Sequence, residues 1–143
     1  MAMKAFIPGK PEPQGSVKGF PVRRKTGAMG VAMTCDNVKL KAWRARAVAI
    51  IQRSAEGVFR GAVCVSAEFI MPRPAGAAKT ARGKELGGHA TRPDTDKLIR
   101  AVGDALTASC IITDDSQIAH WCAMKRYAGI GEDVGTLIEV TML

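Results

Sequence analysis

The feature of this sequence that most limits its fold is a strict alternation of apolar residues between Gly61 and Pro72. The alternating residues are Val63, Val65, Ala67, Phe69 and Met71. Side chains at every second position of a β-strand lie on one face of the sheet, so the pattern predicts a strand with one buried face. Pro72 and Pro74 end this strand, because proline cannot donate a backbone hydrogen bond to a neighbouring strand.

The rest of the chain divides into further strands and two helices. Alternation also predicts a strand at residues 116–127, a glycine turn separates it from a final strand at 134–142, and a short strand fits residues 3–7. Spacing of three and four predicts a helix over residues 38 to about 55, whose small-to-apolar face contains Trp43, Ala47, Ile50, Ile51 and Ser54. A second helix after Asp96 has one face made of Leu98, Val102, Ala105 and Leu106. We predict one α+β domain over residues 1–143, with two main helices and a mixed, largely antiparallel sheet.

The segments between these elements also carry signals. Asp36 or Asn37 fits the cap of the first helix, and Gly57 fits its end. Residues 21–27, P-V-R-R-K-T-G, predict a basic loop or hairpin. Residues 73–93 have no periodicity and are rich in glycine and basic residues, which predicts a long flexible basic loop beside the acidic segment.

Charge narrows the classes of partner. The chain of 143 residues has 21 Lys and Arg against 13 Asp and Glu, a net charge of +8. Such an excess favours nucleic acid, an anionic membrane or an acidic partner. No apolar run approaches the roughly 18 residues of a spanning helix, and the N-terminus lacks the apolar core of a signal peptide. We therefore expect a cytoplasmic protein, and the four widely separated cysteines argue against a zinc site.

The acidic residues of this basic chain crowd into one segment. They are Asp94, Asp96, Asp104, Asp114 and Asp115. If residues 92–96 are extended, Asp94 and Asp96 face the same side, and the short helix that follows lets the chain return with Asp115 beside them. Converging carboxylates repel one another unless a cation lies between them, and Mg²⁺ prefers such oxygen ligands. A basic surface would then hold a polyanion while the metal site hydrolyses a phosphodiester, with Lys97 or Arg100 stabilising charge on the phosphate.

Each acidic residue also has an ordinary structural explanation. Asp94 and Asp96 fit the start of a helix, where acids favour the helix dipole. Asp104 fits an ion pair with Arg100 one helical turn away. Asp114 and Asp115 fit a turn. From the pattern alone, the metal site and these structural roles remain alternatives.

The same segment resembles a known family. R-P-D-T-D-K-L-I-R-A-V-G-D-A-L, residues 92–106, is similar to the R-P-D-x-D-N-L-x-K-x-x-x-D-A-L motif of the RusA family of Holliday-junction resolvases, which are small bacterial and phage endodeoxyribonucleases. T-D-D-S-Q-I, followed by a strand ending in K-R-Y, resembles the family's D-D-x-Q-I/V element. F-I-P-G-K-P-E-P-Q-G-S resembles its N-terminal strand and loop. The resemblance covers both ends of the chain and the acidic segment in the same order.

The resemblance implies a homodimer that binds four-way DNA junctions and nicks two strands with Mg²⁺, for which Mn²⁺ is a possible substitute. It assigns the metal-binding carboxylates to Asp94, Asp96 and Asp115, with Asp114 assisting or only shaping the turn. Lys97 stands where the family has Asn, and Arg100 stands where it has its catalytic Lys. Arginine keeps the charge but is a planar, permanently protonated group. We expect either Lys97 or Arg100 to supply the cation near the phosphate.

The basic residues of the loops and strand ends are the expected DNA contacts. They are Lys10, Lys18, Arg23, Arg24, Lys25, Arg73, Lys79, Arg82, Lys84, Arg92, Lys125 and Arg126. We predict a magnesium-dependent, structure-selective endodeoxyribonuclease that resolves branched DNA by paired nicks in recombination and repair, in a bacterial or phage-infected cell. The alternatives are a non-catalytic basic DNA-binding module and a basic structural dimer whose acids only cap helices.

Overall fold

Two helices and two β-sheets make up the computed structural model of this chain, which describes residues 1–15, 18–34, 37–76 and 86–143. Along the chain the elements are β1 (Ala2–Pro8), β2 (Lys18–Arg23), β3 (Met29–Thr34), α1 (Val38–Ser54), β4 (Val63–Met71), α2 (Thr95–Ala108), a short 3₁₀ turn (Asp115–Gln117), β5 (Ile118–Tyr127) and β6 (Gly135–Met142). Among the helices that the structure describes, none combines the length and apolarity that crossing a membrane requires.

Four of the strands form one mixed sheet in the order β1–β6–β4–β5. β6 runs antiparallel to both β1 and β4, whereas β5 runs parallel to β4. Parallel neighbours need a crossover connection, and α2 lies in that connection. β2 and β3 pair separately as an antiparallel hairpin. The predicted α+β class, the two helices and the largely antiparallel sheet are confirmed.

The apolar patterns in the sequence correspond to the buried faces. All five alternating residues of β4 are at most 2% exposed, and so are Leu98, Val102, Ala105 and Leu106 of α2. In α1 the buried residues are Leu40, Trp43, Ala47 and Ile51, while Ile50 and Ser54 are only partly buried. Each large apolar side chain buried in this way contributes roughly 1.5–3 kcal/mol of transfer free energy.

The ends of α1 differ in part from the prediction. The Oδ1 atom of Asn37 accepts a hydrogen bond from the backbone N–H of Leu40 at 3.1 Å, so Asn37 is a cap. The alternative cap, Asp36, lies outside the described residues. The helix ends at Ser54, before Gly57, because Ala55 is already extended.

The start of α2 overturns one expectation. Asp94 is extended, with φ −69° and ψ 138°, but the helix begins at Thr95 and so includes Asp96. Residues 92–96 are therefore not one extended segment, and Asp94 and Asp96 do not alternate on one side of a strand. The predicted strand at 116–127 also begins later, at Ile118, because Asp115–Gln117 forms the 3₁₀ turn.

Candidate functional site

A hollow of about 260 Å³ lies between α2 and the start of β5. Its charged residues are Asp96, Arg100 and Asp115, and its wall includes Gly103 and Trp121. Asp96, Arg100 and Gly103 are four and three residues apart on α2, so they share one helix face. We call this the acidic hollow. It unites two of the three predicted metal ligands with one of the two predicted cations.

Gly103 lies where α2 passes next to the turn before β5. A Cβ atom at this position would lie 3.8 Å from the Cβ of Asp115 and 3.8 Å from the Cζ2 of Trp121. A larger side chain would therefore occupy the acidic hollow. Asp115 sits beside Gly103, whereas Asp96 is seven residues earlier on α2, about 10 Å along the helix axis. Arg100 lies on the face between them.

The charges of the acidic hollow are not neutralised by near neighbours. Within the described part of the chain, Asp96, Arg100 and Asp115 make no ion pair within 4 Å, and their side chains make no hydrogen bond. Across residues 1–15, 18–34, 37–76 and 86–143, no three His, Cys, Asp or Glu side chains form a group that could hold a metal ion. The predicted convergence of three carboxylates is therefore absent from this arrangement, although a pair lines one hollow.

Asp94 and Lys97 belong to a second hollow, of about 400 Å³. The Nζ atom of Lys97 lies 3.7 Å from Oδ2 of Asp94. Asp94 occupies the cap position of α2, yet its side chain makes no capping hydrogen bond. Helix capping therefore does not explain this carboxylate. Lys97 and Arg100, which we expected to serve as alternative cations for one phosphate, line separate hollows.

Lys125 fixes the chain that leads into Asp94. From β5 its Nζ atom donates hydrogen bonds to the carbonyl oxygens of Thr91 at 2.6 Å and Pro93 at 2.7 Å. Nearby, the ring of His89 packs on Tyr127 with centroids 4.6 Å apart. Burial lowers the pKa of His89, and the charge of Lys125 lowers it further. Lys125 therefore positions the start of α2 relative to the sheet.

Gln117 fixes the turn that carries Asp115. Its Oε1 atom accepts a hydrogen bond from the N–H of Thr113 at 2.6 Å. Its Nε2 atom donates to the carbonyl oxygens of Phe59 at 3.2 Å and Gly61 at 2.9 Å. The side chain thus joins the turn to the segment that enters β4. Sequence reasoning missed this role, although the motif T-D-D-S-Q-I contains the residue.

The two remaining acids of the segment have structural partners. Oδ1 of Asp114 accepts a hydrogen bond from the N–H of Ser116 at 2.9 Å, and hydrogen bonding with Ser116 lowers the pKa of Asp114. Asp104 pairs with Arg44 of α1 at 3.3 Å, not with Arg100 as its spacing allowed. The same Nη2 atom of Arg44 donates to Oε1 of Gln14 at 2.6 Å. Arg44 therefore joins both helices to the N-terminal loop.

Comparison with known proteins then gives the family. The model of the family described as "Endodeoxyribonuclease RusA" matches residues 8–141, which is nearly the whole chain. The chain belongs to the RusA family. Comparison with curated proteins gives no significant match.

Membership in the RusA family decides between the alternatives left open by the sequence. This is a family of endodeoxyribonucleases of the Holliday-junction resolvase type, so the chain is an enzyme that acts on branched DNA in recombination. A non-catalytic DNA-binding module and a purely structural dimer are therefore set aside. RusA-family resolvases are metal-dependent nucleases in general.

The predicted DNA contacts of this RusA-family chain fall into groups. Lys10 and Arg92 line the second hollow, and Arg24 and Lys25 lie exposed in the turn between β2 and β3, next to Arg23. The side chain of Lys18 and all of Lys79, Arg82 and Lys84 lie outside the described residues.

Three other predicted DNA contacts, Lys125, Arg73 and Arg126, already have partners inside the protein, and their contact with DNA stays a prediction. Lys125 donates to Thr91 and Pro93, as described above. Nη1 of Arg73 donates to the carbonyl oxygen of Ala128 at 3.0 Å. Arg126 pairs with Glu68 and with both carboxylate oxygens of Glu132, at 2.6 and 2.8 Å. Hydrogen bonds from Arg126 lower the pKa of Glu132 to about 2, and those to Glu132 and Glu68 raise the pKa of Arg126.

Proposed function

We propose that this RusA-family chain is a magnesium-dependent endonuclease that resolves four-way DNA junctions by paired nicks, with its chemistry in the acidic hollow. The observation that carries the proposal is that Asp96, Asp115 and Arg100 line one hollow while their charges have no partner among the described residues. Carboxylates that line one hollow without a cation partner are the oxygen donors that a divalent metal ion takes.

The donor set of the acidic hollow fits a hard divalent cation. Mg²⁺ takes oxygen ligands and is usually held by one or two carboxylates, with waters and substrate phosphates completing its coordination. Asp96 and Asp115 would hold the ion, and family resemblance adds Asp94 as a third ligand. When bound, such an ion activates water and neutralises charge on the phosphate. Manganese, which prefers the same ligands, would substitute.

The protein's own groups contribute charge and position. Arg100 would stabilise negative charge on the phosphate, to which a guanidinium can donate two parallel hydrogen bonds. Lys125 and Gln117 would hold the start of α2 and the Asp115 turn at fixed positions, which matters because small displacements of catalytic groups are costly in rate. Lys97 would contact the substrate from the second hollow.

We also propose a homodimer, since a two-fold assembly offers two sites to the two strands that a junction resolvase cuts. Leu137 and Met124 support it: they are 41% and 53% exposed, and both belong to the sheet face opposite the helices. Because its substrate is an intermediate of DNA recombination, we propose that the enzyme acts in the cytoplasm of a bacterial or phage-infected cell.

The test is cleavage of labelled four-way junction, linear duplex and single-stranded DNA with Mg²⁺, with Mn²⁺ and with EDTA. We expect symmetric nicks in the junction alone, and none in EDTA. Asp115→Asn should abolish the nicks yet keep junction binding, while Asp133→Asn, which changes an exposed acid in the turn before β6, should cut normally. No cleavage of any branched DNA by the wild type with either metal would refute the proposal.

A further inference from the structure

The second hollow has the composition of a site for one nucleotide. Three prolines, Pro11, Pro13 and Pro93, form part of its wall, and three cations, Lys10, Arg92 and Lys97, surround it. We call it the proline pocket. Its volume of about 400 Å³ is in the range of small-ligand sites, roughly 300–1,000 Å³, and is far too small for a duplex.

The two kinds of wall suit the two parts of a nucleotide. Cationic side chains bind the phosphate, and charge-assisted hydrogen bonds to phosphate are stronger than neutral ones. The apolar faces of proline rings give a sugar or a base a surface for van der Waals contact. The two acids, Glu12 and Asp94, leave the pocket with a surplus of one positive charge.

The walls of the pocket are held in place before any ligand binds. At one end of the N-terminal loop the N–H of Gly9 donates to the carbonyl oxygen of Val134 at 3.1 Å. At the other end the N–H of Gln14 donates to the carbonyl oxygen of Lys97 at 3.0 Å. The facing wall is held by Lys125 through Pro93. A pocket with walls fixed in this way loses little conformational entropy when it is filled.

The position of the pocket indicates which nucleotide it takes. Asp94 and Lys97 line the proline pocket, and Asp96 and Arg100 line the acidic hollow, so the first turn of α2 separates the two. One turn of an α-helix is about 5.4 Å long, so a DNA strand that follows α2 would reach both sites with neighbouring nucleotides.

We propose that the proline pocket holds a single nucleotide next to the scissile phosphate, with its phosphate on Lys10, Arg92 and Lys97 and its sugar or base against the prolines. This inference rests on the proposed catalytic role of the acidic hollow. It gives Lys97 and Arg100 different tasks: Lys97 binds the strand beside the cut, and Arg100 acts at the cut.

The experiment measures junction binding in EDTA with substrates that each carry one uncharged methylphosphonate, at successive positions on both sides of the cut. The proteins are wild type, Arg92→Ala, Lys10→Ala and the control Lys4→Ala, which removes a lysine from β1 outside the pocket. We expect one position where the neutral phosphate weakens wild-type binding about tenfold and weakens Arg92→Ala and Lys10→Ala much less. The Lys4→Ala protein should respond like the wild type.

A second arm tests the proline wall. An abasic site at the same nucleotide should weaken binding by the wild type but not by Pro13→Ser, which removes an apolar wall. Equal losses for the wild type and both pocket variants at every methylphosphonate position would overturn the proposal. If the wild type cuts junctions but shows no such coupling, only the pocket assignment fails. Coupling without Mg²⁺-dependent cutting by the wild type would uphold nucleotide binding in the pocket, but it would refute the catalytic proposal and the position of this nucleotide beside a cut.

Discussion

Two clusters of charge on this molecule are built in opposite ways. Around Arg126 the guanidinium lies between the carboxylates of Glu68 and Glu132, and each group has a partner. In the acidic hollow, Asp96 and Asp115 line the same space with no ion pair among the described residues. Paired charges of the first kind hold the end of β5 to its neighbours. The unpaired acids of the second kind are exposed to water, which leaves them free for the ion and the substrate that we propose for this hollow.

The largest expected difference comes from neutralising one acid in each cluster. Asp96→Asn should lower junction cleavage more than about a hundredfold, because it removes a ligand for an ion that supplies several kcal/mol of stabilisation. It should cost at most about 1 kcal/mol of stability, the value of an acid in the first turn of a helix. Glu68→Gln should leave cleavage within about threefold of wild type, since a partly exposed pair contributes little.

Single-turnover cleavage and chemical denaturation of the two proteins measure these effects. Junction binding in EDTA shows that Asp96→Asn still folds and binds. The distinction between the clusters is lost if both variants cut at similar rates.

The next largest effect concerns the side chain that holds the Asp115 turn. Gln117→Ala should lower the free energy of unfolding by about 1–3 kcal/mol, because the N–H of Thr113 and two carbonyls lose their hydrogen bonds. Gln52→Ala is the matched control, since its amide makes one hydrogen bond of 3.3 Å, to the carbonyl oxygen of Ser109. Urea denaturation followed by tryptophan fluorescence compares them. Equal unfolding midpoints for the two variants would mean that Gln117 does not hold this turn.

Lys125 should have a smaller effect, on rate more than on stability. In Lys125→Met the carbonyls of Thr91 and Pro93 lose their donor and the start of α2 loosens, so kcat should fall about tenfold, as for residues that support a metal ligand. KM and the unfolding midpoint should change little, and Lys125→Arg should recover part of the rate because it still donates. Lys4→Met, in an exposed pair with Glu139, is the control. A rise in KM with kcat unchanged would instead indicate that Lys125 binds DNA directly.

The smallest effect should appear only in acid. The pKa of Glu132 is lowered from 4.5 to about 2, so the unfolded chain binds a proton that the folded chain does not between these values. The contribution of Glu132 to stability is therefore complete above about pH 4.5 and is lost as the pH falls toward 2. Glu132→Gln should show a shallower loss of stability over this range. Identical pH profiles for the wild type and the variant would remove Glu132 from the structural cluster.

The sequence predicted the elements and their buried faces better than it predicted the partners of charged groups. The strand from Val63 to Met71 could be predicted because alternating apolar residues indicate one buried face. The start of α2 was misjudged by two residues, since Asp94 and Asp96 fit the first positions of a helix as well as an extended approach to one. The partners of Asp104 and Lys125 could not be predicted from the sequence. They depend on how α1 packs on α2 and on β5 lying beside β4, and no local pattern in the sequence records that arrangement.

Lys125 has one more consequence, for engineering. Hydrogen bonds from Lys125 of β5 to Thr91 and Pro93 hold the chain where it enters α2. On the N-terminal side of residues 77–85, Arg73 donates a hydrogen bond to Ala128. The positions of Asp94 and Asp96 are therefore fixed by contacts with β5 that lie C-terminal to that segment. Foreign sequence grafted between these two anchors should therefore leave the positions of these carboxylates unchanged.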